Sequence, residues 1–313
     1  MTTSNESLIP LGARFMLLSA LGFALMSSTV KYVSQVGIPV FEIVAARAAV
    51  SLIISYLDIK RKGIPVWGNN KPLLVVRGIM GTIGLSCVYY AVTTLPLAEA
   101  TILQYTNPVF TAVLAVMFLK ERVQLSTMVC IVLSIMGLFF IVNPTTLTTG
   151  ASHLPLYSVM IALIGAFVSA ISYIIVKKLS NTEDSSVIIF YFPLITLPLS
   201  LIIIADNFVV PDLPTTICLV FVGIFTQVGQ VGLTKAMQTQ AAGKATAYSY
   251  VQIVLSIILG FIIFKEVPSI WTYIGGVLII SGAVVNLFGS NILKKNQTNN
   301  DLNQNWEVNI NRF

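Results

Sequence analysis

Within one long apolar stretch, Thr101, Gln104, Tyr105, Pro108 and Thr111 recur at spacings of three, four and seven, which places them on one face of a helix. Amide and hydroxyl groups on such a face can hold a polar solute or bond to a neighbouring helix, and the pattern alone leaves both open. A later stretch carries a comparable set in Thr246, Ser249, Tyr250, Gln252 and Ser256. A third adds Gln227, Gln230 and Thr234 at spacings of three and seven, a stripe that its counterpart in Thr82, Leu85 and Tyr89 only partly repeats. That asymmetry is where choice of solute is expected to reside. The binding candidates are therefore Thr101, Gln104, Tyr105, Gln227, Gln230, Tyr250 and Gln252. Pro108 removes one helical hydrogen bond, so it either bends its helix or frees a carbonyl to line a site.

Charge inside apolar segments narrows the chemistry further. Arg47 lies roughly eight residues into its segment, where a cation in lipid costs about 2.5–3.5 kcal/mol and calls for a partner. Glu42, five residues earlier, is not on its face. Arg47 is thus either a structural charge holding helices together or a group that meets an anionic solute or gates access. Lys31 and Lys177 end their helices near opposite surfaces as gating or structural charges, with interfacial snorkelling the simplest role. Lys120-Glu121 and Lys265-Glu266 are expected to be structural. Glu42 and Glu99 are the few embedded acids, a thin basis for obligatory proton coupling. The only histidine, His153, falls in a loop, and no carboxylate or serine cluster accompanies it, so an intramembrane enzyme is the weakest reading. Cys87, Cys130 and Cys218 have neither metal-site nor disulfide-framework spacing and read as small apolar residues. No cofactor or metal is implied, and the glycines follow no strand, which removes a nucleotide-binding loop.

The elements that must position these groups are membrane spans. The 313 residues are 56% apolar and only 10% charged, with a mean hydropathy of +0.88, far from a soluble domain. At about 20 residues per span, this length holds about ten helices and little else. The apolar segments run roughly over 11–33, 39–57, 72–94, 98–119 and 125–142, then 156–176, 186–205, 213–236, 241–264 and 269–288. Lipid leaves helices as the form that satisfies every backbone group in such runs. The net charge of +6 sits between segments rather than in a nucleic-acid stripe: Arg14, Lys60, Arg61, Lys62, Lys71, Lys120, Arg122, Lys177, Lys178, Lys235, Lys244, Lys294 and Lys295 fall on one side. That puts both termini in the cytoplasm. The Asn/Gln-rich tail after Lys295 reads as a solvated appendage.

An internal repeat organises the whole. A shift of 145 residues lays Lys120-Glu121 on Lys265-Glu266, and with no gap Gly78 meets Gly223, Gly84 meets Gly229, Thr94 meets Thr239, Ala100-Thr101 meets Ala245-Thr246 and Tyr105 meets Tyr250. Two five-helix units follow, and because five is odd the second crosses in the opposite sense. Inverted repeats of this kind recur in secondary transporters, where two similar halves open a central site to each side in turn.

The run from Arg77-Gly78 to Gly84, with Tyr89-Tyr90-Ala91, Leu95-Pro96-Leu97-Ala98, Ala100-Thr101, Gln104-Tyr105, Asn107-Pro108 and Lys120-Glu121, resembles the EamA-type members of the drug/metabolite transporter superfamily. Arg47 and the second Lys-Glu pair extend the resemblance over residues 11–288. It implies a ten-helix bundle, alternating access and a cavity lined mainly by helices one, three, four, six, eight and nine. Arg77-Gly78 and Leu95-Pro96-Leu97-Ala98 are closest to the subset that includes S-adenosylmethionine carriers of intracellular bacteria.

The expectation is an all-α integral membrane protein of ten transmembrane helices as two inverted five-helix repeats, residues 11–142 and 156–288. A cytoplasmic terminus (1–10), a loop (143–155) and a polar tail (289–313) complete it. It moves a small-molecule solute, amino-acid-like or S-adenosylmethionine-like, across a bacterial inner membrane; partners are that solute and the lipid bilayer, with no nucleic acid and a homodimer left open. A channel or a structural membrane subunit is the alternative.

Overall fold

The computed structural model describes residues 11–119, 125–142, 155–204, 208–239, 248–282, 284 and 285. Expectations for the first ten residues, Lys120-Glu121, His153, Lys244, Thr246 and the tail lie outside the described residues, as does the Cys130 side chain. All regular structure among the described residues is helical. The helices are α1 (Leu11–Gln35), α2 (Val40–Lys62), α3 (Lys71–Thr94), α4 (Leu97–Gln104), α5 (Asn107–Leu119), α6 (Leu125–Val142), α7 (Leu156–Leu179), α8 (Ser185–Ile204) and α9 (Leu213–Thr239). A 3₁₀ turn over Tyr248–Tyr250 then leads into α10 (Val251–Phe264), and α11 covers Ile270–Gly282.

Among the described residues seven stretches are long and apolar enough to cross a membrane, with α4 and α5 together forming one of them. Two shorter apolar helices, Tyr248–Phe264 and Ile270–Gly282, follow. The outer surface is apolar in a way water would not tolerate: Ile202 is 74% exposed and Phe118 70%. The polar and charged side chains instead turn inward, as lipid requires.

Local sequence explains where elements end. α2 runs past the apolar segment through Asp58 to Lys62, because charged residues extend a helix into the interface, and it stops at Gly63, whose φ of +66° suits glycine. α3 begins at Asn70, whose side chain accepts from the Leu73 N–H at 3.3 Å. The fourth apolar segment is not one helix. Pro108 offers no N–H to the Gln104 carbonyl, and the chain tightens there, with Tyr105 N–H shared between the Thr101 and Ile102 carbonyls and Thr106 N–H on Leu103. The segment therefore breaks into α4 and α5. Thr101, Gln104 and Tyr105, on α4 and its cap, consequently do not share a continuous face with Pro108 and Thr111 on α5.

Packing alternates between the two halves of the chain. α1 lies most extensively against α9, and α3 against α7; α2 pairs with α8, while α4 meets α10. Close approach is built into the first two seams. A Cβ at Gly22 would stand 2.8 Å from the Gly229 nitrogen, and one at Gly84 would stand 2.8 Å from Ser169 Oγ. Ser19 Oγ adds a 2.7 Å hydrogen bond to the Gly229 carbonyl across the first seam.

Candidate solute site

Between the two seams a recess encloses about 830 Å³ of empty space, mouth included. Ser19, Phe23 and Ser27 of α1, Gly81 of α3, Ser169, Ser172 and Tyr173 of α7, and Gln230 of α9 contribute to its wall. The break between α4 and α5 supplies Gln104, Tyr105, Asn107 and Pro108, and the start of α10 supplies Ser249 and Gln252. The interrupted fourth segment and the start of α10 thus turn side chains toward one space. Pro108 does both things open to it: it interrupts its helix and lines the recess. Tyr105 Oη donates to Gln252 Oε1 at 2.6 Å, which joins α4 to α10 and leaves the Gln252 amide hydrogens available.

Two buried cations reach the same wall, Arg47 from α2 and Arg77 from α3, each 2% exposed. Their guanidinium carbons stand 4.9 and 4.7 Å from the centre of the Phe192 ring on α8. Arg77 Nη2 donates to Gln230 Oε1 at 3.3 Å. Nε and Nη1 of both arginines lack hydrogen-bond acceptors. Among the described residues neither arginine has an ion-pair partner. Glu42 does not serve Arg47; its carboxylate accepts from the Val209 N–H at 3.1 Å instead.

The remaining candidates do other work. Thr101 Oγ1 donates to the Leu97 carbonyl at 2.7 Å and is hydrogen-bonded to Ser256 Oγ at 3.0 Å, linking α4 to α10. Gln227 Nε2 donates to Ser55 Oγ at 2.9 Å, linking α9 to α2. Tyr250 is buried beside the recess, its ring 5.5 Å from that of Tyr105. None of the three lines the recess.

The lysines sit at helix ends. Lys177 Nζ donates to the Met237 carbonyl at 2.9 Å, tying α7 to α9. Lys31, 5% exposed, is paired with Glu266 and donates to the Leu95 carbonyl at 2.8 Å, and the second Glu266 oxygen accepts from the Leu97 N–H at 2.8 Å. Lys31 does not snorkel to a wet surface. Glu266 follows Lys265, whose φ of 57° makes it the one non-glycine residue in the left-handed region among the described residues. This clasp fastens α1 and the α3–α4 turn to the end of α10. Nearby, Glu99 Oε1 accepts from Thr272 Oγ1 at 2.9 Å, away from the recess.

Sequence reasoning did not single out Arg77, Phe192, Asn107, Tyr173, Ser169 or Ser172. Arg77 carried a signal equal to that of Arg47, since it lies six residues into its segment, but it was read only within a motif. Phe192 carried none, because a phenylalanine in an apolar run looks like any lipid-facing residue.

Comparison with known proteins places this geometry. The EamA-like transporter family model matches twice, over residues 10–143 and 156–288. The chain is 30% identical over 280 residues to the pseudopaline exporter CntI of Pseudomonas aeruginosa, covering 88% of this chain and 96% of that one. It is 30% identical over 291 residues to solute carrier family 35 member G1 of Homo sapiens, covering 88% and 78%. A solved crystal structure shares the fold, with a TM-score of 0.67 at 20% identity over 90% of this chain and 96% of that one. With one family model matched in both halves and helices apolar enough to cross lipid repeatedly, the chain belongs to the EamA-like transporter family and is a multi-pass integral membrane transporter.

Proposed function

We propose that this chain is a secondary transporter that carries a small polar metabolite through the central recess by alternating access. The observation that carries the reading is the recess itself: buried polar groups from both halves converge on one space between apolar walls. The two halves, 11–142 and 156–288, act as five-helix repeats of opposite orientation in a ten-span bundle. Support comes from the doubled family match and from the packing, in which the α1–α9 seam corresponds to the α7–α3 seam when the halves are exchanged. Both termini face the cytoplasm of a bacterial inner membrane, supported by the concentration of Lys and Arg on that side.

Substrate contact falls to Gln104, Tyr105, Gln230 and Gln252, while Thr101, Gln227 and Tyr250 hold the surrounding helices. The clasp of Lys31 with Glu266 keeps one end of the bundle shut, and the recess draws its wall from the other end, near Met16, Arg77 and Leu233. Opening toward the clasped side requires that ion pair to part. Among solutes, an amino-acid-like compound held through its carboxylate is the first choice, and the relative named as a pseudopaline exporter supports a carried solute.

The test is uptake of labelled metabolites into liposomes carrying the purified protein, with and without unlabelled solute inside. Saturable uptake accelerated by internal solute is expected. Alanine at Gln104, Tyr105, Gln230 or Gln252 should reduce it at normal protein levels; four unimpaired variants would remove the recess from the pathway. Steady ion currents instead of exchange would make the protein a channel.

A further inference from the structure

We propose that Arg47 and Arg77 form one anion-binding subsite within the recess, so that the carried solute is a small organic acid whose carboxylate or phosphate meets both guanidiniums beside Phe192. The inference rests on the carrier reading for the word "carried", but the subsite itself stands on four observations.

Both side chains are 2% exposed, so water does not satisfy them. Four of their nitrogens, Nε and Nη1 of each, are without an acceptor. Their one amide partner, Gln230 Oε1, lies at 3.3 Å, at the long end for such a bond. Among the described residues no acidic side chain lines the recess, and the ion pairs are made by Lys31, Arg61 and Lys62 elsewhere. Buried cations are ordinarily paired, hydrogen-bonded throughout, or held for a ligand. The ring of Phe192, beside both, and that of Tyr89, 5.7 Å from Arg47, offset only part of their charge, and a π-face is no substitute for an anionic acceptor. An oxyanion supplies what is missing in charge, acceptor atoms and planar bidentate geometry.

Selectivity follows. A dianion is favoured over a monoanion, and a monoanion over a zwitterion, because the described residues of the recess offer an ammonium no carboxylate. Cationic solutes are repelled. The polar remainder of the acid is left to Gln104, Tyr105 and Gln252.

The experiment uses the full chain in lipid nanodiscs and measures binding by calorimetry, independently of transport. The probes are succinate, glycerol 3-phosphate and inorganic phosphate, with succinamide as the neutral isostere. Succinate or a phosphate probe is expected to bind at least about tenfold more tightly than succinamide, and R47Q and R77Q are each expected to weaken that binding by about tenfold or more. Preference for succinate identifies a carboxylate solute; preference for glycerol 3-phosphate a phosphate ester; phosphate alone an inorganic anion. G81A offers a second route that keeps both arginines: a Cβ there collides with Arg77 Nη1 and stands 2.8 Å from the Phe192 ring, so anion affinity should fall while the fold persists. Equal binding of succinate and succinamide, no binding of any anion, or undiminished binding in both arginine variants overturns the subsite. Counterflow of a neutral or cationic solute that R47Q leaves intact overturns it too, yet keeps the carrier. Arginine-dependent anion binding without counterflow of any solute supports the subsite and overturns the carrier.

Discussion

Two sets of charge are buried in this bundle, and they are treated oppositely. At one end, the Lys31 ammonium is paired with Glu266, and both also hold backbone groups, Leu95 carbonyl and Leu97 N–H. In the recess, Arg47 and Arg77 are equally buried, share an aromatic ring, and have nitrogens without acceptors. A buried cation inside its own ion pair is finished by the protein; one without an anion is finished by something else. Burial alone therefore does not tell a structural charge from a functional one, and the identity of its partner does.

The sharpest way to break the contrast is to remove half of the clasp. E266Q leaves Lys31 buried without its anion and is expected to lower unfolding stability in detergent by about 2–4 kcal/mol, reduced from the fully buried case because Glu266 is partly exposed. The double variant K31M/E266L should recover most of that loss. Stability unchanged in E266Q would mean the pair is ornamental to the fold.

The recess predicts the reverse sign. Without ligand, R47Q or R77Q relieves an uncompensated buried charge and should raise stability by about 1–3 kcal/mol, measured by the same unfolding curves. A loss as large as that of E266Q would make these arginines a second clasp and erase the difference between the two regions.

Within α9 the contrast can be drawn between neighbours. Q227L loses its bond to Ser55 and should destabilise by about 1 kcal/mol while leaving solute affinity unchanged; Q230L loses the longer bond from Arg77, should cost about as much, and should lower solute affinity as well. The opposite assignment would move the site toward α2.

The smallest effect belongs to charge that water already reaches. Burial alone would raise the Asp184 carboxyl, but the hydrogen bond from Lys62 at 2.9 Å holds it below the ordinary 3.8. Its contribution is thus present above that value and fades as pH falls through the lowered one. For this exposed pair it is about 0.5 kcal/mol, so D184N should cost that much at pH 7 and nothing in strong acid, as read from unfolding midpoints across pH.

The sequence made most spans legible because apolar runs of membrane length have one outcome in lipid, and the breaker residues lie where α2, α3 and α7 begin or end. It also singled out Gln104, Tyr105, Gln230 and Gln252, polar groups where lipid forbids them, and these four line the recess. Spacing shows that residues share a face; it does not show what stands across from them. Gln227 and Gln230 belong to one stripe, yet three residues turn a helix by about 60° short of a full circle, enough for one to face Ser55 and the other Arg77. Thr101 was read as lining for the same reason and faces Ser256 instead. Pairing of Lys31 with Glu266 joins residues 235 apart and rests on how α1 and α10 meet, which no local pattern carries.

The glycine seams carry a mechanical consequence. Where Gly22 lies against Gly229, the backbones of α1 and α9 touch with no flexible side chain between them, and Ser19 rivets the contact. At Gly84, α3 approaches α7 through Ser169, a Cβ there standing 2.8 Å from Ser169 Oγ and 3.3 Å from its backbone nitrogen. Each seam welds a helix of one half to a helix of the other, so the stiff bodies of this machine are mixed pairs rather than the two halves of its gene. In the proposed alternating-access cycle, motion that exposes the recess is then expected in the gap between the pairs, and reporter groups set across a seam should hold a fixed separation, an internal ruler against which every other distance can be measured.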